Sequence, residues 1–267
     1  MLKSLRNNTR LFFDGALLSY MALFRWLRPA TYIASMVFGP LTYMLFFVFL
    51  GKYATGEDNT SFYVIGNAVQ MVAFSGIFGV TMSISGDRWD GTLPYLFGTP
   101  ANRLALFFGR AFMHVINGAF GVVLSFIWGV LLLGLDLSQA NLPALAAVIL
   151  VTAFSTCGLG LLFGSLSLVT RNVMFVNNTV FFLLLFFSGA NIALDTMPAW
   201  MLSISYALPL TRGIAAARQI VAGGDLGQVP ALLGVEALYG VFYIGLGYVM
   251  FRWFEFQAKR RGTLEVV

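Results

Sequence analysis

The sequence alternates long apolar runs with short polar breaks, and this pattern predicts its main elements. Six runs have about the 20 apolar residues that a membrane-spanning helix needs. They cover approximately residues 30–50, 62–85, 104–135, 142–169, 173–192 and 229–253. The pattern predicts an all-α membrane protein with six transmembrane helices, numbered here as spans one to six.

Residues 1–28 precede the first run and place charged and apolar side chains on different faces. At about 100° per residue, the helical spacing, the charged residues fall on one stripe: Lys3, Arg6, Arg10, Asp14, Arg25 and Arg28. Apolar residues such as Phe12 and Trp26 lie away from that stripe. The spacing predicts an N-terminal amphipathic helix that lies on membrane lipid. A cleavable signal peptide fits less well, because Asp14 interrupts its apolar part.

Composition supports a membrane protein. Of the 267 residues, 59% are hydrophobic and 10% are charged, whereas soluble domains carry about 25% charged residues. The apolar runs extend through the chain, so we expect a single transmembrane domain over residues 1–267. The net charge of +5 could suggest nucleic acid, but the basic residues lie at the ends of the apolar runs. We therefore expect membrane lipid, and no nucleic acid, as a partner.

The distribution of Lys and Arg predicts the orientation, because cytoplasmic loops carry an excess of these residues. With the N-terminus inside, all of the 16 Lys and Arg residues except Lys52, Arg212 and Arg218 fall on the cytoplasmic side. We therefore expect both termini in the cytoplasm, together with a loop at residues 86–103 and a tail at residues 254–267. The opposite orientation would reverse this charge distribution.

Cysteine and histidine are too few to build a metal or disulfide site. The chain has one cysteine, Cys157, and one histidine, His114. No disulfide can form within the chain, and no thiolate cluster can form either. A membrane enzyme would need clustered His, Asp, Glu or Ser residues. We therefore expect no metal, no cofactor and no catalytic residue in this chain.

The polar loop between spans two and three has the features of a docking element. Thr92 can cap a short helix, whose first turn tolerates Pro94. Tyr95, Leu96 and Phe97 would give that helix an apolar tip between charged flanks. Such a helix suits a groove on another protein, and the alternative is an ordinary solvated connection.

The same loop resembles the first cytoplasmic loop of the permease subunits of type-2 ATP-binding-cassette exporters. Residues 87–100 read Asp-Arg-Trp-Asp-Gly-Thr-Leu-Pro-Tyr-Leu-Phe-Gly-Thr-Pro. The matching positions are Gly91, Thr92, Leu93, Leu96, Thr99 and Pro100. Trp89 and Pro94 stand where the family has acids. The resemblance implies that the loop is the coupling helix that contacts the ATP-binding subunit, with Asp87, Arg88 and Asp90 contributing to that contact.

A second match lies between spans five and six, in a segment that is only partly apolar. The family pattern of Ser-Gly, Pro, Trp, Pro-Leu-Thr and Arg is met in order by Ser188, Gly189, Pro198, Trp200, Pro209, Leu210, Thr211 and Arg218. Leu208 and Ala193 stand where the family often has Asn and Pro. The resemblance implies that residues 193–224 form broken, re-entrant helices on the outer side of the membrane.

The family resemblance also implies partners and a location. The chain has no GxxxxGK[ST] phosphate loop, so ATP and Mg²⁺ are expected on a separate ATP-binding subunit, present in two copies. A second permease copy is implied, either as a homodimer or as a sister permease. The implied location is the bacterial inner membrane.

Three functions are compatible with this sequence. The favoured one is ATP-driven export of hydrophobic drugs, natural products or lipid-like molecules, because the spans are mostly apolar and no added soluble domain is present to recognise a glycan. Export of polysaccharide or lipid-linked glycan is the alternative within the family. An ATP-independent channel or membrane scaffold is the alternative from another class, and it predicts no partner ATPase.

Polar residues inside the spans are candidates for the transport path. They are Asn67, Gln70, Asn117, Asn177 and Asn178. Arg110, His114 and Glu236 are also polar and intramembrane. Arg110 and His114 share a helix face because they are four residues apart, and we expect that face to pack against another span.

Small residues on span four predict close helix packing. Gly158, Gly160 and Gly164 lie on neighbouring turns of this span. Small residues allow helix backbones to approach closely in membranes. We therefore expect this face to contact another span rather than cargo.

Overall fold

The computed structural model describes residues 9–17, 21, 29–56, 59–99, 102–168 and 172–261. Most of these residues are helical, and no strand occurs among them. This part of the chain therefore confirms the predicted all-α class. The basic residues at positions 3, 6, 25 and 28 lie outside the described residues, as do Pro100 and residues 262–267 of the predicted C-terminal tail.

The helices are numbered in chain order. They are α1 (residues 9–17), α2 (Pro29–Thr55), α3 (Thr60–Ala73), α4 (Val80–Trp89), α5 (Leu93–Gly98), α6 (Arg103–Leu133), α7 (Leu142–Ser167), α8 (Val173–Phe187), α9 (Ala199–Ala207), α10 (Thr211–Val221) and α11 (Pro230–Arg261). A π-helical turn, Phe74–Gly79, joins α3 to α4, and a 3₁₀ turn, Leu194–Thr196, precedes α9.

Five helices among the described residues are long and apolar enough to cross a membrane. The spanning stretches are Ile33–Thr55, Thr60–Gly86, Leu104–Leu133, Leu142–Ser167 and Pro230–Gln257. They correspond to predicted spans one to four and span six. The remaining apolar helix, α8, has 15 residues, which is shorter than a standard spanning helix. The count of six spans therefore stays a prediction.

The predicted end of span five at residue 192 was wrong, because α8 ends at Phe187. Gly189 has a φ of 80°, in the left-handed region that glycine adopts without a steric penalty. This turn stops the helix although the apolar pattern continues past it. The residues after Gly189 therefore belong to the connection between α8 and α9.

Asparagine side chains mark the starts of three helices. Asn102 accepts hydrogen bonds from the backbone N–H groups of Leu104 and Ala105 at the start of α6. Asn141 and Asn172 accept equivalent bonds at the starts of α7 and α8. These caps pair N–H groups that have no acceptor within the helix. They explain why the apolar runs begin as helices at these positions.

Glycines on α7 allow the closest helix contacts, as predicted for span four. A Cβ added at Gly158 would lie 2.7 Å from the carbonyl oxygen of Gly240 in α11. A Cβ at Gly160 would overlap the carbonyl oxygen of Gly76 in the π-helical turn. The core therefore places α7 directly against α11 on one side. On its other side lies the continuous helical rod that α3, the π-helical turn and α4 form together, which we call the α3–α4 rod.

One end of the helix bundle gathers the connections that were predicted to be cytoplasmic. The Ser85 hydroxyl donates to the Ser167 hydroxyl oxygen over 2.8 Å, so the ends of α4 and α7 meet. The ring centroids of Phe107 and Phe251 are 5.3 Å apart, so α6 begins where α11 ends. We call this end of the bundle the loop end, because it carries the loop between α4 and α6.

Helix α1 packs against α6 near the loop end. A Cβ added at Gly109 of α6 would lie 2.7 Å from the carbonyl oxygen of Phe12, so the missing side chain lets α1 approach. The ring centroids of Phe12 and Phe112 are 5.3 Å apart. On the exposed side of α1, Arg10 forms an ion pair with Asp14 at 3.3 Å. The described part of the N-terminal segment is therefore helical, with charged and apolar groups on different sides.

Candidate transport and coupling sites

The loop between α4 and α6 folds into a short helix. Helix α5 spans Leu93–Gly98, with Pro94 in its first turn. Thr92 occupies the N-cap position, but its side chain makes no capping hydrogen bond, so that detail of the prediction was wrong. The predicted apolar tip is exposed at Tyr95, whose exposed fraction is 78%. The loop therefore presents an aromatic side chain away from the bundle.

The predicted coupling residues lie consecutively along this loop. Asp87 and Arg88 are in the last turn of α4, followed by Asp90 and Gly91 in the connecting turn. Gly91 has a φ of 66°, which reverses the chain between α4 and α5. Thr92 directly precedes the short helix, Leu93 and Leu96 lie within it, and Thr99 follows it. The loop is thus a helix–turn–helix corner that connects two spanning helices directly.

At the opposite end of the bundle, two positions of the second family motif, Arg218 and Gly189, are in direct contact. Its guanidinium, on α10, donates to the carbonyl oxygens of Gly189 at 2.9 Å and Ala190 at 3.1 Å. It also donates to the carbonyl oxygen of Phe62 at 3.0 Å and lies 3.6 Å from the centroid of the Phe62 ring. Burial lowers the pKa of Arg218 to about 10, so the group stays charged at neutral pH. The Ser188–Gly189 turn, α3 and α10 therefore meet at one cation.

A buried carboxylate holds the start of α10. Glu236 of α11 is fully buried, and its Oε1 accepts hydrogen bonds from the Leu210 backbone N–H at 2.7 Å and from the Ser155 hydroxyl of α7. Leu210 has a φ of 89°, a conformation that costs a non-glycine residue about 1–3 kcal/mol. Glu236 thus stabilises a strained turn and links three helices. Its polarity within an apolar span was the only sequence signal for it.

The other motif residues are spread along the same segment. The Thr211 hydroxyl, at the start of α10, donates to the Ser205 carbonyl oxygen over 2.7 Å. Pro198 is the N-cap of α9, and Pro209 lies between α9 and α10. Trp200 is 63% exposed on α9. The prolines therefore break the segment into short helices, while its re-entrance from the outer side stays a prediction.

The predicted path residues have different environments. Asn67 is buried, and its side-chain amide donates to the Asn191 Oδ1 and to the Tyr63 carbonyl oxygen, each over 2.8 Å. Gln70 and Asn177 are fully buried and have no hydrogen-bond partner among the described residues. Asn178, in contrast, is exposed on α8. The five asparagine and glutamine side chains therefore do not form one polar channel within a single subunit.

Asn117, another predicted path residue, lines a cavity. The cavity has a volume of about 500 Å³ and lies between α2, α3 with its π-helical turn, α6 and α8. The Asn117 amide donates to the Ser75 hydroxyl oxygen, and Ser75 donates to the His114 carbonyl oxygen, both over 3.0 Å. Sequence reasoning missed the cavity, because its walls come from four separate helices.

The π-helical turn and His114 fit together beside this cavity. A Cβ added at Gly79 would overlap the His114 ring, which is fully buried. The predicted packing role of the Arg110–His114 face agrees with this contact, since Arg110 also donates to the Ser83 carbonyl oxygen of α4. π-Helical turns occur frequently at functional sites. Here the turn changes the register between α3 and α4 at the depth of the cavity.

No group of three or more His, Cys, Asp or Glu side chains is placed to hold a metal ion in the part of the chain that the structure describes. Cys157 is buried and unpaired as a thiol.

Comparison with known proteins gives relatives of one kind. The chain is 29% identical over 203 residues to the daunorubicin resistance ABC transporter permease protein DrrB1 of Streptomyces coeruleorubidus, a match that covers 72% of this chain and 69% of that protein. It is 25% identical over 179 residues to the probable multidrug ABC transporter permease YbhS of Escherichia coli K12. That match covers 64% of this chain and 46% of the relative, so the chain spans about half of the relative's length.

The sequence profile of the ABC-2 type transporter family matches residues 15–222. The matched region begins in the last turn of α1 and contains the loop between α4 and α6, the cavity and the helix that carries Arg218. The relatives are permeases, and five apolar helices among the described residues are long enough to span a membrane. The chain therefore belongs to the ABC-2 type transporter family, as a multi-pass membrane permease.

Proposed function

We propose that this permease exports hydrophobic drugs, natural products or lipid-like molecules from the cytoplasm or the inner leaflet. A separate ATP-binding-cassette subunit, in two copies, supplies the energy by hydrolysing ATP with Mg²⁺. Two permease copies form the membrane part, as a homodimer or with a sister permease. The names of the relatives, which refer to daunorubicin resistance and to multidrug transport, support this cargo class.

The observation that carries the proposal is the exposed helix α5 at the loop end. Its Tyr95 side chain is 78% exposed, and the helix follows α4 after one turn at Asp90 and Gly91 and precedes α6 in the chain. A large aromatic side chain in that position suits a hydrophobic groove on a partner. Because α4 continues the rod that begins at α3, a push on α5 reaches the middle of the membrane domain.

The same proposal assigns the topology. Both termini and the loop at residues 86–103 face the cytoplasm, and the Arg218 segment, residues 193–224, enters the membrane from the outer side. The chain resides in a bacterial inner membrane as a single domain. ATP binding closes the two partner subunits, moves α5 of each permease, and opens a path for the cargo on or between the permeases.

Affinity purification tests this function. The tagged chain is purified from its host's membranes in mild detergent, and ATP hydrolysis and co-purifying proteins are measured. We expect a protein with a GxxxxGK[ST] phosphate loop to co-purify and to be lost with Tyr95→Asp. Tyr53→Asp is the matched control, because Tyr53 is 90% exposed at the far end of α2. A chain that purifies without any ATPase would contradict the proposal and would favour a channel or scaffold.

A further inference from the structure

Residues 190–204, which run from the turn at Gly189 into α9, pack lightly on the rest of the chain. All of them are described, and only Ala190 and Met197 among them are buried. Trp200, at the start of α9, is 63% exposed. A segment with so few buried side chains can leave the bundle at a low free-energy cost. We call residues 190–204 the strap.

The end of the strap is attached to the core of the bundle. Directly after it, the backbone carbonyl oxygens of residues 205–207 accept hydrogen bonds from side chains of α10 and α11, namely Thr211, Arg212 and Tyr243. Helix α10 in turn lies directly on α7, because a Cβ added at Gly213 would overlap the Thr152 side chain. This end of the strap therefore stays with α7 and α11.

The start of the strap is attached to the α3–α4 rod. Arg218 of α10 donates to the carbonyl oxygens of residues 189 and 190 and also to that of Phe62, in the first turn of α3. Further along α3, the Asn67 amide donates to the Asn191 Oδ1 over 2.8 Å. These hydrogen bonds, which we call the latch, tie the first residues of the strap to the rod.

The two attachments respond differently to a movement of α5. The α3–α4 rod runs without a break from Thr60 to Trp89, and α5 follows its end after one turn. A displacement of α5 is therefore passed along the rod to the latch. The attachment to α10 and α11 is not part of the rod, so the displacement moves the rod relative to Arg218 and stretches the hydrogen bonds of the latch.

We propose that Arg218 and the Asn67–Asn191 pair keep the strap closed on the bundle, and that movement of the α3–α4 rod releases the strap once in each transport cycle. Arg218 is a positioning residue in this scheme, because it acts through the turn at Gly189 and not on cargo. The inference rests on the proposed function, in which a partner ATPase moves α5. A contact that is only structural would stay closed whether or not ATP is bound.

The reactivity of a thiol under the strap measures whether it opens. Met197 is 6% exposed, so Met197→Cys should react slowly with a maleimide while the latch is closed. Trp200→Cys is the exposed control, and the chain's own Cys157 is buried. The permease and its co-purified ATPase are placed in lipid nanodiscs with ADP or with ATP and Mg²⁺. We expect ATP to speed labelling at position 197 about tenfold, the effect of losing one hydrogen bond to a charged group, and to leave position 200 unchanged.

Removal of the guanidinium tests the role of Arg218 in the latch. Arg218→Gln cannot donate to all three carbonyl oxygens, so we expect Met197→Cys to label about tenfold faster already with ADP and no faster with ATP. Arg252→Gln is the matched control, because Arg252 pairs with Glu255 at the loop end. This control should keep the ATP-dependent rise. A loss of stability alone would not remove the dependence on ATP.

A reversible bridge tests the latch in the folded complex. In Asn67→Cys/Asn191→Cys, Cd²⁺ can bind both thiolates in place of the amide pair, since soft metal ions favour thiolate ligands. We expect ATP hydrolysis by the complex to be lost when Cd²⁺ is added and to return when a chelator removes it. Each single variant controls for effects of Cd²⁺ elsewhere and should hydrolyse ATP equally with and without the ion.

Two results would overturn the latch while the export proposal stands. One is labelling at position 197 that is equal with ADP and with ATP in a complex that hydrolyses ATP. The other is hydrolysis that the Cd²⁺ bridge leaves unchanged. Failure of the export proposal gives a different result, because no ATPase would then co-purify. The latch would fail with it, since nothing would move the rod.

Discussion

The contact between Glu236 and the start of α10 gives the sharpest stability prediction. Glu236→Ala removes the acceptor of two buried donors, the Leu210 N–H and the Ser155 hydroxyl. Leaving a buried donor unpaired costs about 1–3 kcal/mol. The Ser155 hydroxyl can donate instead to the Thr152 carbonyl oxygen, 3.0 Å away, so only the Leu210 N–H is left unpaired and we expect a loss of about 2 kcal/mol. For a chain of this size, that loss lowers the melting temperature by about 4–8 °C.

Glu236→Gln is the matched variant, because its amide oxygen can still accept both hydrogen bonds. The other carboxylate oxygen, Oε2, has no hydrogen-bond partner among the described residues, so its replacement by an NH₂ group breaks no bond. We expect the melting temperature of Glu236→Gln to fall by less than about 4 °C. The assay heats the detergent-solubilised protein and measures the fraction that remains monodisperse on size-exclusion chromatography.

A double variant shows whether the hydrogen bonds account for the loss. Ser155→Ala and Glu236→Ala each remove the hydrogen bond between these two side chains, so the double variant should be more stable than the sum of the single losses predicts. The reasoning is refuted if Glu236→Gln and Glu236→Ala lose the same stability. In that case the negative charge, rather than the acceptor oxygen, would hold the turn at Leu210.

Three further substitutions test other contacts. Gly160→Ala should prevent the approach of α7 to the π-helical turn, because the added Cβ would overlap the Gly76 carbonyl oxygen, and we expect aggregation in size-exclusion chromatography. Arg218→Lys keeps the charge but cannot span three backbone carbonyls with a planar fork, so we expect a loss of about 1–3 kcal/mol in thermal unfolding. Gly109→Leu should displace α1 from the Phe12 carbonyl contact, and faster trypsin cleavage at the N-terminus would report it.

The glycine predictions share one control. Gly245→Ala adds a methyl group in a spanning helix where no atom lies within 4 Å. We expect it to be neutral or to stabilise the protein by up to about 1 kcal/mol, because alanine is the better helix former. If Gly245→Ala aggregates as we expect Gly160→Ala to do, then adding a methyl group to any spanning helix would cause aggregation. The aggregation of Gly160→Ala would then not report the contact of α7 with the π-helical turn.

Sequence reasoning located the elements whose signals are local. The apolar runs, the break at Pro198 and Pro209, and the short helix after Gly91 all follow from spacing and residue type. The close contacts of the glycine-rich face of α7 were also predictable, because close packing is the common reason for glycines in an apolar helix. The end of α8 was misplaced, since the apolar pattern continues past the turn at Gly189.

The cavity and the Glu236 contact could not be predicted, because both depend on which helices are neighbours. The π-helical turn could not be predicted either, because the sequence of Phe74–Gly79 continues an ordinary apolar helix pattern. Glu236 is unusual in sequence, but its partners Ser155 and Leu210 come from distant segments.

Crosslinking from α5 tests the central claim most directly. The chain's single cysteine, Cys157, is buried, so Tyr95→Cys introduces one reactive thiol at an exposed position. A short thiol-to-amine crosslinker is applied to native membranes, and crosslinked peptides are identified by mass spectrometry. The account predicts a crosslink from position 95 to a protein with an ATP-binding phosphate loop, and none from Tyr53→Cys. No crosslink at position 95, or equal crosslinks at both positions, would contradict ATP-driven coupling through this loop.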